Sequence, residues 1–325
     1  MRTLFVSIFL VSAVARADDD FREFKGHTGP TRVALITPDG KKLVSCSGWP
    51  EGDNTVRVWE FATGKLLHTM TGHKGYIDYM ALSADGKKAF SACLDKTVRV
   101  WDVESGKELL VFKEHGAGGV TSIAVTADGK LVASGDNKGK ILFWETETGK
   151  KLREMKIHEN EVRCLAFSPD GKTLYSGSWD GMVKLSDPAT GKETKLLKHE
   201  TKRVENFVLF DDGKKLLVAC DVVTLWDLTK GETIRTFNGH PGAISIGVSP
   251  DGKKMATGWY DGNMKIWNVE SGEMVAEFQA HEAYCHWMTF TSDGKHIATA
   301  GGGAYVNGKG VKGKDHVVRL WKLDE

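Results

Sequence analysis

Residues 72–102 read GHKGYIDYMALSADGKKAFSACLDKTVRVWD, and this stretch decides the fold. It contains short runs rich in Val, Ile, Leu and Phe, each of strand length and each bounded by residues that favour turns. The triplet Asp-Gly-Lys at 85–87 separates two of these runs. Because Asp and Gly tolerate the positive φ that tight hairpin turns require, the stretch predicts strands joined by hairpins.

The same pattern recurs about every 42 residues along the chain. The triplet Asp-Gly-Lys occurs seven times, starting at Asp39, Asp85, Asp128, Asp170, Asp212, Asp251 and Asp293. A histidine recurs at the same interval, at His27, His73, His115, His158, His199, His240 and His281. A tryptophan does so at Trp59, Trp101, Trp144, Trp226, Trp267 and Trp321, with Ser186 in the fourth position. Each unit therefore reads as four strands, called a to d in chain order, with the Asp-Gly-Lys turn between a and b.

Length and composition agree with a repeat protein. The chain has 325 residues, which is long for one ordinary compact domain, and 41% apolar with 27% charged residues excludes disordered, collagen-like and multi-span membrane proteins. The 37 Gly and 10 Trp indicate many tight turns alternating with large buried side chains. A formal net charge of +1 gives no global reason to expect binding to nucleic acid or to an anionic membrane.

A four-stranded unit of this length, with Gly-His near its start and Trp-Asp near its end, resembles the WD-repeat β-propeller family. The resemblance covers residues 21–325 and implies an all-β fold of seven four-stranded antiparallel blades. The seventh unit ends after strand c, whereas residues 21–24 precede the first Gly-His pair as a strand d would. We therefore expect the N-terminal strand to complete the last blade and to remove two exposed sheet edges.

In WD-repeat proteins, the His before strand a, a Ser or Thr of strand b, the Asp of the b-to-c turn and the Trp of strand c form a hydrogen-bonded tetrad. On this resemblance, two complete tetrads are His73, Ser91, Asp95, Trp101 in blade two and His240, Thr257, Asp261, Trp267 in blade six. We interpret these residues as structural, because catalysis does not need seven copies. Blades three, four and five are expected to lack a complete tetrad and to open locally most easily. Lys138 takes the turn Asp position of blade three, Ser186 replaces Trp in blade four, and strand b of blade five has no Ser or Thr.

The first 17 residues resemble an export signal, and residues 18–325 are expected to form a single propeller domain. A basic start at Arg2, an apolar run at 4–15 and the small residues Ala15 and Ala17 predict cleavage after Ala17. On this basis we expect a secreted or periplasmic bacterial protein without a membrane span. The five cysteines lie in apolar stretches and are expected to be buried thiols, although an oxidising compartment permits pairing.

Propellers carry function on their loop faces, and the resemblance places the d-to-a and b-to-c loops on one face. Aromatic residues and arginines anchor many interfaces. The candidates for protein interaction on this face are Trp49, Tyr76, Asp78, Leu94, Arg163, Trp179, Arg203, Tyr260, Tyr284, His286 and Tyr305. Longer b-to-c loops in blades one and seven are expected to form one basic, partly aromatic patch, unless they are loose loops without a role. They contain Trp49, Pro50, Tyr305, Lys309, Lys312 and Lys314.

The resemblance implies a monomeric, non-catalytic scaffold that binds protein partners and uses no cofactor, metal or nucleic acid. The alternative is a propeller enzyme or small-ligand binder at the mouth of the central channel. The polar groups outside the tetrads that could serve it are Asp78, Arg163, His286 and His316. No Walker loop, nucleophile elbow or dinucleotide fingerprint occurs in the required strand-to-helix context. Four tryptophans lie outside strand c and are further interface candidates, namely Trp49, Trp179, Trp259 and Trp287.

Overall fold

The computed structural model describes residues 21–48, 52–198, 203–238, 242–306, 309–311 and 315–323. Within these ranges, all regular secondary structure consists of β-strands. The strands form seven four-stranded antiparallel sheets and one two-stranded hairpin. Within the same ranges, no helix combines the length and the apolar character that a membrane crossing requires. The prediction of an all-β, seven-bladed propeller is confirmed. The predicted cleavage after Ala17 falls in residues 1–20, outside the described residues, and stays a prediction.

Each of the first six blades consists of four strands that are consecutive in the chain. The strands of blades one to three are Thr31–Ile36, Lys42–Ser47, Val56–Glu60, Leu66–Met70; Ile77–Leu82, Lys88–Cys93, Val98–Asp102, Glu108–Phe112; and Val120–Val125, Leu131–Asp136, Lys140–Glu145, Lys151–Lys156. Those of blades four to six are Val162–Phe167, Leu174–Ser178, Met182–Asp187, Lys192–Lys198; Asn206–Phe210, Lys215–Ala219, Val223–Asp227, Glu232–Phe237; and Ser245–Val248, Lys254–Gly258, Asn263–Asn268, Met274–Gln279.

Blade seven contains both ends of the described chain. Its strands a to c are Cys285–Phe290, His296–Gly301 and Val318–Lys322, and strand d is Phe21–Phe24. Phe24 pairs with Val318 and is fully buried against Trp59 of blade one, with ring centroids 6.0 Å apart. The expected closure by the N-terminal strand is therefore confirmed. The loop from strand b to strand c carries a small hairpin, Ala304–Val306 and Lys309–Val311.

The blades stand around a central axis with strand a innermost. Strand a of each blade contacts strand a of both neighbours, and the series returns from blade seven to blade one. Strands b and c are buried on both sides because each sheet packs face to face between two others, as the uninterrupted apolar runs indicate. Strand alternation then places the d-to-a and b-to-c loops on one face, called the upper face, and the a-to-b and c-to-d turns on the lower face.

Most a-to-b turns on the lower face share one hydrogen bond. A Ser or Thr two residues before the turn Asp donates its hydroxyl to that carboxylate in six blades, at Thr37, Ser83, Thr126, Ser168, Ser249 and Thr291. Blade five has Phe210 at this position. Its turn also holds Asp211 and Asp212 at φ of 54° and 50°, in the left-handed region that favours glycine.

Strand a begins with a β-bulge in five of the blades. The register shifts by one residue around Arg32, Asp78, Thr121, Arg163 and His286. A bulge leaves one extra residue outside the ladder and re-aims its side chain. Four of these residues line the upper mouth of the central channel, so the bulges position the charged groups there.

Candidate functional site

The blade-two tetrad is a chain of hydrogen bonds. Trp101 Nε1 donates to Ser91 Oγ at 2.8 Å, Ser91 donates to His73 Nε2 at 2.7 Å, and His73 Nδ1 donates to Asp95 Oδ2 at 3.0 Å. The direction is fixed because an indole nitrogen can only donate and an ionised carboxylate can only accept, so a neutral His73 donates from Nδ1 and accepts at Nε2. Burial lowers the pKa of His73 in spite of the nearby carboxylate, so the ring is neutral. Cys93 Sγ lies close to His73 and Asp95, but its pKa is raised by burial and it accepts the Asp95 amide, so this trio belongs to the tetrad.

The same hydrogen-bonded chain recurs around the ring. Blade one has it at His27, Ser45, Asp53 and Trp59, and blade seven has it at His281, Thr299, Asp315 and Trp321. In blade six, Trp267 Nε1 donates to Thr257 Oγ1 at 2.8 Å, whereas Asp261 accepts the backbone amide of Asn263. The fourth member assigned to that tetrad, His240, lies outside the described residues.

Blade three differs from its prediction. Its tetrad is complete because the carboxylate comes from Asp136, the last residue of strand b, and not from the turn position that Lys138 occupies. Asp136 accepts from His115 Nδ1 at 3.2 Å, and Ser134 links the other ring nitrogen to Trp144 with two bonds of 2.7 Å. The carboxylate of Asp136, two residues before Lys138, thus contacts the histidine Nδ1 that the turn Asp contacts in other blades.

Blades four and five depart from the tetrad as expected. In blade four, His158 keeps its bonds to Asp180 and Ser176, but Ser186 Oγ is buried at the Trp position and has no hydrogen-bond partner among the described residues. In blade five, Trp226 Nε1 donates to Thr224 Oγ1 of its own strand at 3.1 Å. Easier local opening therefore stays a prediction for these two blades and is withdrawn for blade three.

An ion network lies across the upper channel mouth. Asp78 Oδ1 accepts from Arg32 Nη2 at 2.5 Å, and Asp78 Oδ2 accepts from Arg163 Nη1 at 2.8 Å. The side chain of Asp78 is only 11% exposed. Burial alone raises the pKa of this carboxyl, but the two guanidinium groups outweigh burial and lower it. Asp78 is therefore an anion that joins strands of blades one, two and four.

Two further groups extend this network. Arg32 Nη1 donates to His286 Nδ1 at 2.8 Å, and since guanidinium has no acceptor, His286 is neutral. Burial and then the charge of Arg32 lower the pKa of His286 well below its ordinary value. Arg163 Nη1 also donates to Glu161 Oε1 at 3.0 Å, although burial still raises the pKa of Glu161.

Aromatic side chains surround the ion network on the upper face. Trp179 Nε1 donates to Glu205 Oε2 at 3.1 Å, and the guanidinium groups of Arg163 and Arg203 lie 5.4 and 4.7 Å from the centre of the Trp179 ring. On the other side, the rings of Tyr260 and Tyr284 meet edge to face at 5.1 Å. Tyr284 is buried, whereas Tyr260 is 51% exposed. Of the two, Tyr260 is therefore the one that offers a partner substantial contact area.

The structure brings most candidate interaction residues together. Those joined around the channel mouth are Asp78, Arg163, Trp179, Arg203, Tyr260, Tyr284 and His286. Tyr76 and Leu94 lie together beside blade three, where the Leu94 amide donates to the Tyr76 carbonyl and its side chain approaches Gly119. Trp49 lies outside the described residues, as do Pro50, Lys312 and Lys314. Tyr305 pairs with Gly310 in the small hairpin.

Sequence reasoning missed Arg32, Glu161 and Glu205. A signal for two of them was available, because the mouth residues of strand a stand seven positions before the turn Asp of their blade. This holds for Arg32, Asp78, Arg163, Glu205, Ile244 and His286. In blade three the same count gives Thr121, which donates to the Val162 carbonyl and does not line the mouth.

The channel itself is divided by two aromatic side chains. Tyr79 and Trp287 meet edge to face at 5.0 Å and line both the space above them and the space below. The upper cavity has a volume of about 20 Å³, and the lower cavity has about 640 Å³. Trp287 thus lines the channel between the two cavities, and Trp259 is a buried core residue, so both of these interface candidates lie inside the protein.

Comparison with known proteins agrees with this architecture. The family model described as "WD domain, G-beta repeat" matches residues 19–60, 64–102, 106–145, 149–187, 231–268 and 272–322. The gap between the fourth and fifth matches covers strands a to c of blade five, where the described strand b offers no hydroxyl. Departure from the family pattern and loss of the tetrad therefore coincide in blade five, whereas blade four is matched although Ser186 replaces its tryptophan.

Individual relatives match shorter stretches. The Periodic tryptophan protein 2 homolog of Schizosaccharomyces pombe is 33% identical over 87 residues, which is 26% of this chain and 10% of that protein. The small ribosomal subunit protein RACK1 of Drosophila melanogaster is 34% identical over 92 residues, 28% of each chain. The U3 small nucleolar RNA-interacting protein 2 of Mus musculus is 30% identical over 112 residues, 31% of this chain and 23% of that protein. The match thus spans less than a third of each of these relatives.

The predicted localisation is contradicted by these relatives. They are eukaryotic proteins, and two are named for the ribosomal subunit and for a small nucleolar RNA, which points away from a bacterial secreted or periplasmic protein. That prediction depended on a short apolar run followed by small residues near the N-terminus.

Proposed function

The chain belongs to the WD-repeat family, and from this membership we propose that it is a monomeric, non-catalytic scaffold that binds protein partners through its upper face. Members of this family bind protein partners, and the fold presents two loop faces for that purpose. The upper face is favoured because it combines aromatic side chains, arginines and carboxylates around one centre. Tryptophan, tyrosine and arginine are the side chains that dominate binding energy at many interfaces.

One observation carries the proposal, namely the positioning of Trp179. Its ring lies between two guanidinium groups and its indole nitrogen is held by Glu205, so the side chain has little conformational freedom left to lose on binding. Tyr260 stands on the same face with half of its surface accessible. A rigid aromatic residue and an exposed one form a prepared contact surface.

The alternative of a small-ligand binder at the upper mouth is disfavoured. The cavity there has a volume of about 20 Å³, whereas sites for small molecules usually have several hundred. Asp78 already accepts from both Arg163 and Arg32, and Arg32 also donates to His286. The remaining group, His316, acts electrostatically on His27 of blade one, so these four do not form one constellation.

Affinity purification of the full chain from its source cells, with quantitative mass spectrometry, tests the proposal. Tyr260→Ala is the principal variant because the exposed ring can be removed without opening the core. Ile234→Ala is the matched control, since Ile234 is an equally exposed side chain on strand d of blade five. We expect a defined set of partners that Tyr260→Ala depletes at least tenfold and Ile234→Ala retains.

A second step maps the contact on one recovered partner. When hydrogen exchange is measured on the purified complex, the bound partner should protect backbone amides at the starts of the a strands and in the b-to-c loops. Amides of the lower turns should exchange as in the free chain. Partners that bind wild type and both variants equally, or protection limited to the lower face, would place the interface elsewhere. Light scattering of the isolated chain measures its molar mass and so tests whether it is monomeric.

A further inference from the structure

The lower half of the central channel is a cavity of about 640 Å³, within the range of small-molecule sites. Its walls come from strand a of several blades and are mainly aromatic and aliphatic. They include Leu165, Phe167, Leu209, Phe210, Val248 and Phe290. Tyr79 and Trp287 form its inner end, so the cavity communicates with solvent on the lower face and is separate from the upper mouth.

Blade five departs from its neighbours at the rim of this cavity. Six blades have a Ser or Thr that caps the a-to-b turn, but Phe210 takes that position here and lines the cavity. The turn loses the cap, and Asp211 and Asp212 adopt positive φ, which non-glycine residues rarely do. Strain of this kind persists where the surrounding structure imposes it and is concentrated at functional sites. Phe210 in place of Ser or Thr thus removes a stabilising hydrogen bond from the turn and adds an aromatic ring to the wall of the cavity.

The polar groups of the lining indicate what such a site accepts. Thr289 Oγ1 donates to the Ala34 carbonyl and accepts from Trp287 Nε1, so it is already occupied. Asn206 Oδ1 accepts the Phe207 amide at 2.8 Å. Among the lining residues that the structure describes, Asp212 is the one charged residue, and its carboxylate disfavours an anionic ligand. The same set contains no basic side chain that offers a counter-charge.

We propose that the lower cavity is a binding site for a neutral, aromatic small molecule. The volume, the aromatic walls, the separation from the upper mouth and the single acidic group all agree with this class of ligand. Sugars and nucleotides need several convergent hydrogen-bonding groups, whereas Thr289 Oγ1 and Asn206 Oδ1 are already bonded within the protein. The site is independent of the scaffold function proposed for the upper face.

Fluorescence titration of the full chain tests the site with two probes that share one ring system. N-phenyl-1-naphthylamine is neutral, and 8-anilinonaphthalene-1-sulfonate carries one negative charge. We expect saturable binding of the neutral probe at one site per chain, and binding of the sulfonate at least tenfold weaker. Absence of saturable binding, or binding of the sulfonate as tight as that of the neutral probe, would overturn the proposal.

Three variants locate the binding. Ala166→Phe fills the cavity and is expected to raise the dissociation constant of the neutral probe at least tenfold, because Ala166 lines it. Phe210→Ser restores the residue type of the six other turns, so we expect about fivefold weaker binding together with an unchanged or higher melting temperature. Tyr260→Ala, on the upper face, should bind as wild type does. Binding that neither Ala166→Phe nor Phe210→Ser weakens would contradict the site, even if the scaffold proposal stands.

Discussion

Asp78 of blade two accepts a hydrogen bond from Arg163 of blade four at 2.8 Å, across the channel mouth and past the intervening third blade. Arg32 of blade one donates to the other carboxylate oxygen. All three residues occupy bulge positions at the start of strand a. The ring is thus joined at its axis as well as between adjacent sheets.

The first prediction concerns this central carboxylate. Asp78→Ala leaves the largely buried guanidinium of Arg32 without its carboxylate partner and removes one of the carboxylates that pair with Arg163, so we expect a loss of about 3 kcal/mol in the free energy of unfolding. Urea denaturation followed by tryptophan fluorescence measures it. Glu114→Ala, which removes the exposed partner of Lys151, should change the free energy by less than about 0.5 kcal/mol. Equal losses for the two variants would show that the ion network at the channel mouth stabilises the fold no more than an exposed ion pair does.

The tetrads provide the second prediction, with a matched pair of serines. Ser91→Ala leaves the Trp101 indole and His73 Nε2 buried without their common partner, and should cost about 2 to 4 kcal/mol. Ser186→Ala removes a buried hydroxyl for which the described part of the chain provides no hydrogen-bond partner, so it should be neutral or stabilising. Thermal melts of both variants decide the matter. A larger loss for Ser186→Ala would contradict the description of blade four.

A third prediction tests the unexpected carboxylate of blade three. Asp136 is 1% exposed and accepts from His115 and from two backbone amides, so Asp136→Ala should cost about 3 kcal/mol. Lys138→Ala, at the turn position where the repeat pattern places the acid, should change stability by less than about 0.5 kcal/mol because that side chain is exposed. A larger loss of stability for Lys138→Ala than for Asp136→Ala would contradict the tetrad described for blade three.

Closure of the ring gives a fourth prediction. Phe24 is fully buried between blades seven and one, so Phe24→Ala should lower the free energy of unfolding by about 3 to 5 kcal/mol. Arg22→Ala, at an exposed position of the same strand, removes only an exposed hydrogen bond to the Phe61 carbonyl and should have a small effect. Differential scanning calorimetry compares the two. Similar melting temperatures for wild type and Phe24→Ala would mean that the ring does not depend on its N-terminal strand.

A fifth prediction is the pH dependence of stability. Burial lowers the pKa of His27, His73 and His286 below the ordinary value of 6.5, so below that pH the unfolded chain takes up protons that the native chain excludes. Stability must then fall as the pH falls, by up to about 1.4 kcal/mol per pH unit for each excluded proton. The lowered pKa values of Asp53 and Asp95 add a further loss below about pH 4.

Urea midpoints between pH 7.5 and 5 measure this dependence. His286→Gln removes one of the excluded protons, so its midpoint should fall less steeply with decreasing pH than that of wild type. A midpoint that is constant or rises toward pH 5 would be incompatible with neutral buried histidines.

Sequence reasoning worked where signals repeat and failed where they depend on a single blade. Seven equivalent turns and six tryptophans determine the number of blades, and the missing last strand determines the closure. The position-by-position comparison failed at Asp136, because a flexible carboxylate reaches His115 from a different backbone position. Arg32 and Glu205 were within reach of a count from the turn Asp. The lower cavity was not, because its shape results from side chains of several blades packing together.

The pairing of the N-terminal strand with blade seven also governs the order of assembly. Glu23 and Arg319 form an ion pair although 296 residues separate them in the chain. The first described strand is therefore synthesised long before its partner exists, and the circle stays open until strand c of blade seven has been made. Such distant pairing slows folding and leaves an exposed edge in the meantime. If two nascent chains met at that stage, this strand is the element that they would exchange.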